Sequence, residues 1–226
     1  MERLLPTNRR IRINRIVMKK LITAFVLAIA FVGGAFAQTA EEILAKMEET
    51  MTSLEPEGIV MVVDTKIPII GTLSVKTYTR GDKLLMKTST MGVSVVIYED
   101  ATTSWTINTK DKKVVIEDVA NTSVEGDAGD TALFQGVADG YNVSIRKETD
   151  KTWEILATKR KDNPKKEEPK NMEIVVAKGT FYPVSLRAKI SGVTMTMRDI
   201  SFGVSEERVT YNPDKYSGYT IEDKRK

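Results

Sequence analysis

Between Ile59 and Val119 the apolar residues recur at every second position. Leu73 and Val75 alternate with Thr72, Ser74 and Lys76; Val93, Val95 and Ile97 alternate with Ser94 and, less cleanly, with Val96; Trp105 and Ile107 alternate with Ser104, Thr106 and Asn108. A period of two puts these side chains on one face of a strand and leaves the other face to water. Parallel strands covered on both sides read as unbroken apolar runs, so the pattern predicts an antiparallel meander with one face in need of cover. Gly81-Asp82, Gly92, Glu99-Asp100 and Lys110-Asp111 stand at the breaks and supply the turns.

A second series opens at Tyr141, Val143 and Ile145 and continues through Trp153, Ile155 and Ala157, then Met172, Ile174 and Val176. The charged tract 160–170, with two prolines, reads as a solvent loop inside a hairpin. The alternation predicts Val184, Leu186, Ala188 and Ile190 inward against Ser185, Arg187 and Lys189. In the next strand Val193, Met195 and Met197 are odd-numbered while Ile200, Phe202 and Val204 are even-numbered, and this slip near Arg198-Asp199 predicts a β-bulge.

The strands are preceded by a helical pattern. Thr39-Ala40-Glu41-Glu42 is a capping box, and Leu44, Met47, Met51 and Leu54 form one stripe until Pro56 and Gly58 stop the helix. Residues 131–138 predict a short second helix. The expected fold is mainly β: a curled antiparallel sheet, a half-barrel of about eleven strands, covered by the N-terminal helix and the short second one.

The first residues belong to a leader. Met18-Lys19-Lys20, an apolar run from Leu21 to Val32 and Ala35-Phe36-Ala37 have the layout of a secretory signal peptide cut after Ala37, and the run is shorter than a membrane span. The expected organisation is an upstream extension over 1–17, a signal peptide over 18–37 and one domain over 38–226, located in the periplasm. The leader changes the charge balance, since residues 1–37 hold seven of the 34 Lys and Arg and one of the 31 Asp and Glu. The remaining 27 basic and 30 acidic residues give no electrostatic footprint for nucleic acid.

Side-chain chemistry narrows the function classes. The absence of histidine removes imidazole catalysis and His metal sites, and the absence of cysteine removes thiolates, disulfides and a lipidated cysteine. The pairs Glu99-Asp100, Glu117-Asp118 and Glu206-Glu207 fall at turns or strand ends, where solvated carboxylates are ordinary. The run Glu125–Asp130 offers oxygen ligands without EF-hand spacing and reads as a loop ending in a helix cap. No catalytic residue, metal or cofactor is expected. Eight methionines remain after the leader, suited either to filling a core or to accepting shapes that vary.

The C-terminal run Val209 to Lys226 joins an aromatic strand, Pro213 and the tail Glu222-Asp223-Lys224-Arg225, and it resembles the close of the periplasmic outer-membrane lipoprotein carrier (LolA-like) family. Gly71-Thr72-Leu73-Ser74-Val75-Lys76, the Asp100 to Trp105 run, and Leu133-Phe134 before the Tyr141 strand match in the same order. The resemblance implies a half-barrel wrapped over lid helices around an apolar cavity that holds lipoprotein acyl chains between inner and outer membrane. It places Leu44, Met47, Met51, Leu73, Val75, Val93, Val95, Ile97, Trp105, Ile107, Phe134, Val184, Leu186, Met195 and Met197 on that lining. It also implies a monomer whose partners are acylated lipoproteins or lipid, an inner-membrane release complex and an outer-membrane acceptor, with no nucleic acid. Relatives carry a lid-latching Arg where this chain has Thr77, and Arg80 is the candidate substitute. A binding or sensing module without a delivery role is the alternative on the same scaffold.

Overall fold

The computed structural model describes residues 38–90, 93–121, 137–163 and 168–225. Helix α1 (Ala40–Leu54) begins at the predicted capping box: the Thr39 hydroxyl accepts from the Glu42 amide and the Glu42 carboxylate accepts from the Thr39 amide, each at 3.2 Å. A 3-10 turn (Glu55–Glu57) and Gly58, with φ +77°, redirect the chain into the sheet. A Cβ at Gly58 would lie 2.5 Å from the Thr79 carbonyl oxygen, so both backbone angle and space demand glycine there.

Strands β1 (Ile59–Ile67), β2 (Gly71–Arg80), β3 (Lys83–Thr90), β4 (Val93–Glu99), β5 (Thr103–Asn108) and β6 (Lys113–Asp118) form one antiparallel meander. A second runs through β7 (Tyr141–Glu148), β8 (Thr152–Lys159), β9 (Asn171–Ala177), β10 (Pro183–Ile190) and β11 (Val193–Phe202). The two join where β11 pairs with β1. After the single-turn helix α2 (Glu206–Val209), β12 (Thr220–Asp223) adds to β6 in parallel. The result is a curled, unclosed sheet in the order β12-β6-β5-β4-β3-β2-β1-β11-β10-β9-β8-β7. Twelve strands thus replace about eleven, and the last makes the sheet mixed. The expected second helix and the leader lie outside the described residues.

The bulge occurs where the phase break predicted it. Val60 pairs with Ser201 but Val62 with Arg198, leaving one extra residue in β11, and Asp199 takes φ +54°. The extra residue keeps Met197, Ile200 and Phe202 on one face, against the same packed cluster.

Each face carries its own apolar cluster. On the helix face Ile43, Leu44, Met47 and Met51 of α1 pack with Ile59, Met61 and Val63 of β1 and with Ile155, Ile174, Leu186 and Met197 of the second meander. On the other face the C-terminal segment lies as a strap over Tyr78, Leu85, Tyr98, Ile107 and Val114, adding Val204, Val209, Tyr211 and Tyr216. Tyr211 stacks on Trp105 with ring centroids 5.0 Å apart and on Tyr216 at 5.7 Å. Arg208 sits over the Tyr78 ring and donates to its hydroxyl at 3.1 Å. Alternation within each strand predicts one apolar face for the first meander. In fact it has two, and Val96, the residue that blurred the alternation in β4, packs under the strap.

Candidate functional site

Directly opposed residues of antiparallel strands share a face, so the pairing traces the helix face across the first meander. One row runs Val63, Val75, Thr88, Val95 and Asn108; the next runs Met61, Thr77, Met86, Ile97, Thr106 and Val115. Toward the β2–β3 turn the next row passes from Leu84 to the polar Glu99, Ser104 and Glu117, with the Ser104 hydroxyl donating to Glu99 at 3.1 Å. Toward the β1–β2 turn the face ends at Leu73, which is 37% exposed.

Val75, Val93, Val95 and Ile97 are partly exposed, and neither packed cluster includes them. From Leu73 to Thr79 the band extends roughly 20 Å along the strands. It borders the packed core at β1 and is interrupted by threonines whose hydroxyls are engaged: Thr77 donates to the Met61 carbonyl at 3.4 Å and Thr88 to the Ser74 carbonyl at 3.0 Å. Among the described residues every fully buried side-chain polar atom has a partner. A largely apolar band with a polar rim is a surface for an apolar partner.

The expected lining is divided by this geometry. Leu73, Val75, Val93, Val95 and Ile97 lie together on the band. Leu44, Met47, Met51, Leu186 and Met197 share the helix face but are packed in the cluster under α1, with Met195 against its margin. The lid therefore covers β1 and the second meander, not the strands bearing Val75 and Val95. Trp105 and Ile107 are on the opposite face, because β5 pairs with β4 so that Trp105 opposes Tyr98 and Ile107 opposes Val96. Val184 is 43% exposed; a register shift between Pro183 and Ser185 turns it away from Leu186. Phe134 and the Glu125–Asp130 run lie outside the described residues.

Thr77 is buried in the middle of the band, whereas Arg80 donates to the main-chain carbonyls of Glu57 and Val204. Arg80 thus ties the start of β1 to the chain leaving β11, and its described hydrogen bonds do not reach α1. A cleft of about 210 Å³ runs beside α1, between Leu44, Glu48 and Val137–Asp139. A larger one of about 340 Å³ opens under the strap, lined by Lys87, Tyr98, Arg208, Lys215 and Tyr216 among others. The first is below the usual size of a ligand pocket and the second is lined mainly by polar and charged groups, whereas the band offers partly exposed apolar side chains. No group of three or more His, Cys, Asp or Glu among the described residues can hold a metal, and no described helix is long and apolar enough to cross a membrane.

No protein-family model matches the chain, and no curated protein matches it. Solved structures with similar strand arrangements include an uncharacterized conserved protein from Thermus thermophilus, 12% identical over 82% of this chain and 99% of that one, with a TM-score of 0.44. The Mycobacterium tuberculosis lipoprotein LppX is 12% identical over 72% and 96%, with a TM-score of 0.42. A LolA superfamily protein from Nitrosomonas europaea is 11% identical over 77% and 99%, with a TM-score of 0.32. At such identities and TM-scores these likenesses assign no activity to this chain.

Proposed function

We propose that the protein binds the acyl chains of a lipoprotein on the apolar band of β2–β5 and carries them through the periplasm from inner to outer membrane. The observation that supports this is the partial exposure of Val75, Val93, Val95 and Ile97 on the same sheet face that α1 covers elsewhere. Exposing acyl chains to water costs about 0.8 kcal/mol per CH₂, so a carrier must offer them an apolar surface of this kind. The protein is then an exported monomer without cofactor or catalytic group, met by a release complex at one membrane and an acceptor at the other. Its exported form begins at Gln38, which N-terminal sequencing of the secreted chain checks.

Purifying the exported protein and analysing what accompanies it by mass spectrometry tests the reading. Co-purifying triacylated lipoproteins support the carrier. Free lipid alone supports a lipid-binding or sensing module on the same surface, and no acylated molecule at all overturns both.

A further inference from the structure

The most exposed apolar side chains among the described residues are at the β1–β2 turn. Ile69 is fully exposed and Ile70 is 78% exposed, next to Pro68 in a tight turn closed by a 2.8 Å bond from the Ile70 amide to the Pro68 carbonyl. Ile69 also takes φ +72°, a left-handed angle that disfavours a β-branched residue and suits Gly or Asn. The turn has no use for isoleucine at this point, and neither residue belongs to a packed cluster.

The charges around the tip have one dominant sign. Lys66 on β1 opposes Thr194 on β11, which opposes Lys189 on β10, so the two exposed lysines flank the tip in one row. The β5–β6 turn, at the same end of the sheet, adds Lys110 and Lys112, while Asp111 between them is engaged by Asn108 at 2.8 Å. At the opposite end the first meander turns at Gly81-Asp82 and Glu99-Asp100, so these two carboxylate-bearing turns lie away from the tip.

From this arrangement we infer that the β1–β2 tip docks on a membrane surface carrying anionic headgroups, with Ile69 and Ile70 entering the interface and the lysines held at headgroup level. Two protruding aliphatic residues are too small a core for a protein interface, which needs about 800 Å² per partner. A lipid interface imposes no shape, and each lysine near an anionic surface adds to binding. The tip meets the apolar band at Leu73, so docking presents the end of that band to the bilayer. Membrane docking does not depend on the acyl-binding reading, because neither the tip nor its lysines belong to the proposed acyl surface.

Flotation with vesicles of phosphatidylcholine, with and without phosphatidylglycerol, tests the inference. The wild-type protein should bind the anionic vesicles. Joint Ile69→Ser and Ile70→Ser substitution should weaken binding roughly tenfold or more, with the thermal midpoint unchanged because both side chains are exposed. Lys66→Gln with Lys189→Gln, or about 1 M salt, should remove the preference for anionic vesicles. Wild type and variants share the same N-terminal residues, so any contribution from 1–37 cancels. Absence of wild-type binding, or tip variants that bind like wild type, would overturn the inference. So would self-association lost in the isoleucine variants without vesicle binding, since the tip would then contact a second copy. Val95→Asp should leave vesicle binding intact, which separates failure of docking from failure of acyl binding.

Discussion

Placing a carboxylate on the helix face separates packed core from binding surface. Leu186 is 5% exposed and opposes Ile174, which is fully buried, and Met197, at 4%. Leu186→Asp removes about 2–3 kcal/mol of apolar burial and leaves a carboxylate whose opposed residues offer no donor, adding several kcal/mol more. Against a total stability of about 5–15 kcal/mol, that unfolds the protein or lowers its thermal midpoint by more than ~10 °C. Val95 is partly exposed and opposes Thr88 and Asn108. There Val95→Asp meets water and polar neighbours and costs about 1 kcal/mol, a fall of ~2–4 °C. Circular dichroism melts together with titration of a fluorescent acyl probe read both effects. The expected pair is a folded Val95→Asp that has lost probe binding and a Leu186→Asp that is unfolded or strongly destabilised. Equal unfolding of both would mean that the band is ordinary core; a folded Val95→Asp with wild-type binding would move the acyl site elsewhere.

Gly58→Ala should lower stability by about 2 kcal/mol or more, from the left-handed φ and the contact with the Thr79 carbonyl, as a denaturant melt will show. Tyr211→Ala removes the ring stacked between Trp105 and Tyr216 and should cost about 2–3 kcal/mol, with a change in Trp fluorescence as the strap loosens. The Asp64 carboxyl is held below its ordinary pKa by hydrogen bonds from Arg198 and Ser74. Its stabilising contribution is therefore fully present above the unfolded-state pKa and disappears as the pH falls through the lower folded-state value. Asp64→Asn should flatten this part of the acid limb in a pH series of melts, and an unchanged limb would refute the assignment.

The features legible in the sequence were local. The Thr39–Glu42 box, the α1 stripe and the Asp199 bulge each depend on residues a few positions apart; the box and the bulge appear as read, and the buried stripe takes in Ile43 beside Leu44, Met47 and Met51 while Leu54 is only half-buried. The assignment of faces depended on register between strands, which alternation within a strand does not carry. Trp105 and Val95 each stand in an alternating run, yet the β4–β5 pairing sends them to opposite sides. The destination of α1 was hidden for a similar reason: its stripe shows that a face is buried but not which strands bury it. The parallel pairing of β12 with β6 joins segments about 100 residues apart, and four residues carry no directional signal of their own. Val184 faces away from Leu186 because it is the extra residue of β10 where Pro183 and Ser185 pair with adjacent residues of β9, and no neighbouring glycine or charge announces that change of phase.

Because the chain has no cysteine, a single introduced thiol carries a label at one known place. Val95→Cys and Lys87→Cys, each labelled with a benzophenone, set a photocrosslinker on the apolar band and on the opposite face of the neighbouring strand. Irradiation with a triacylated peptide should yield a crosslink at position 95 and little at 87, with the label at 95 attached along the acyl chains by mass spectrometry. Equal crosslinking at the two positions, or crosslinking at 87 alone, would contradict acyl binding on the helix face.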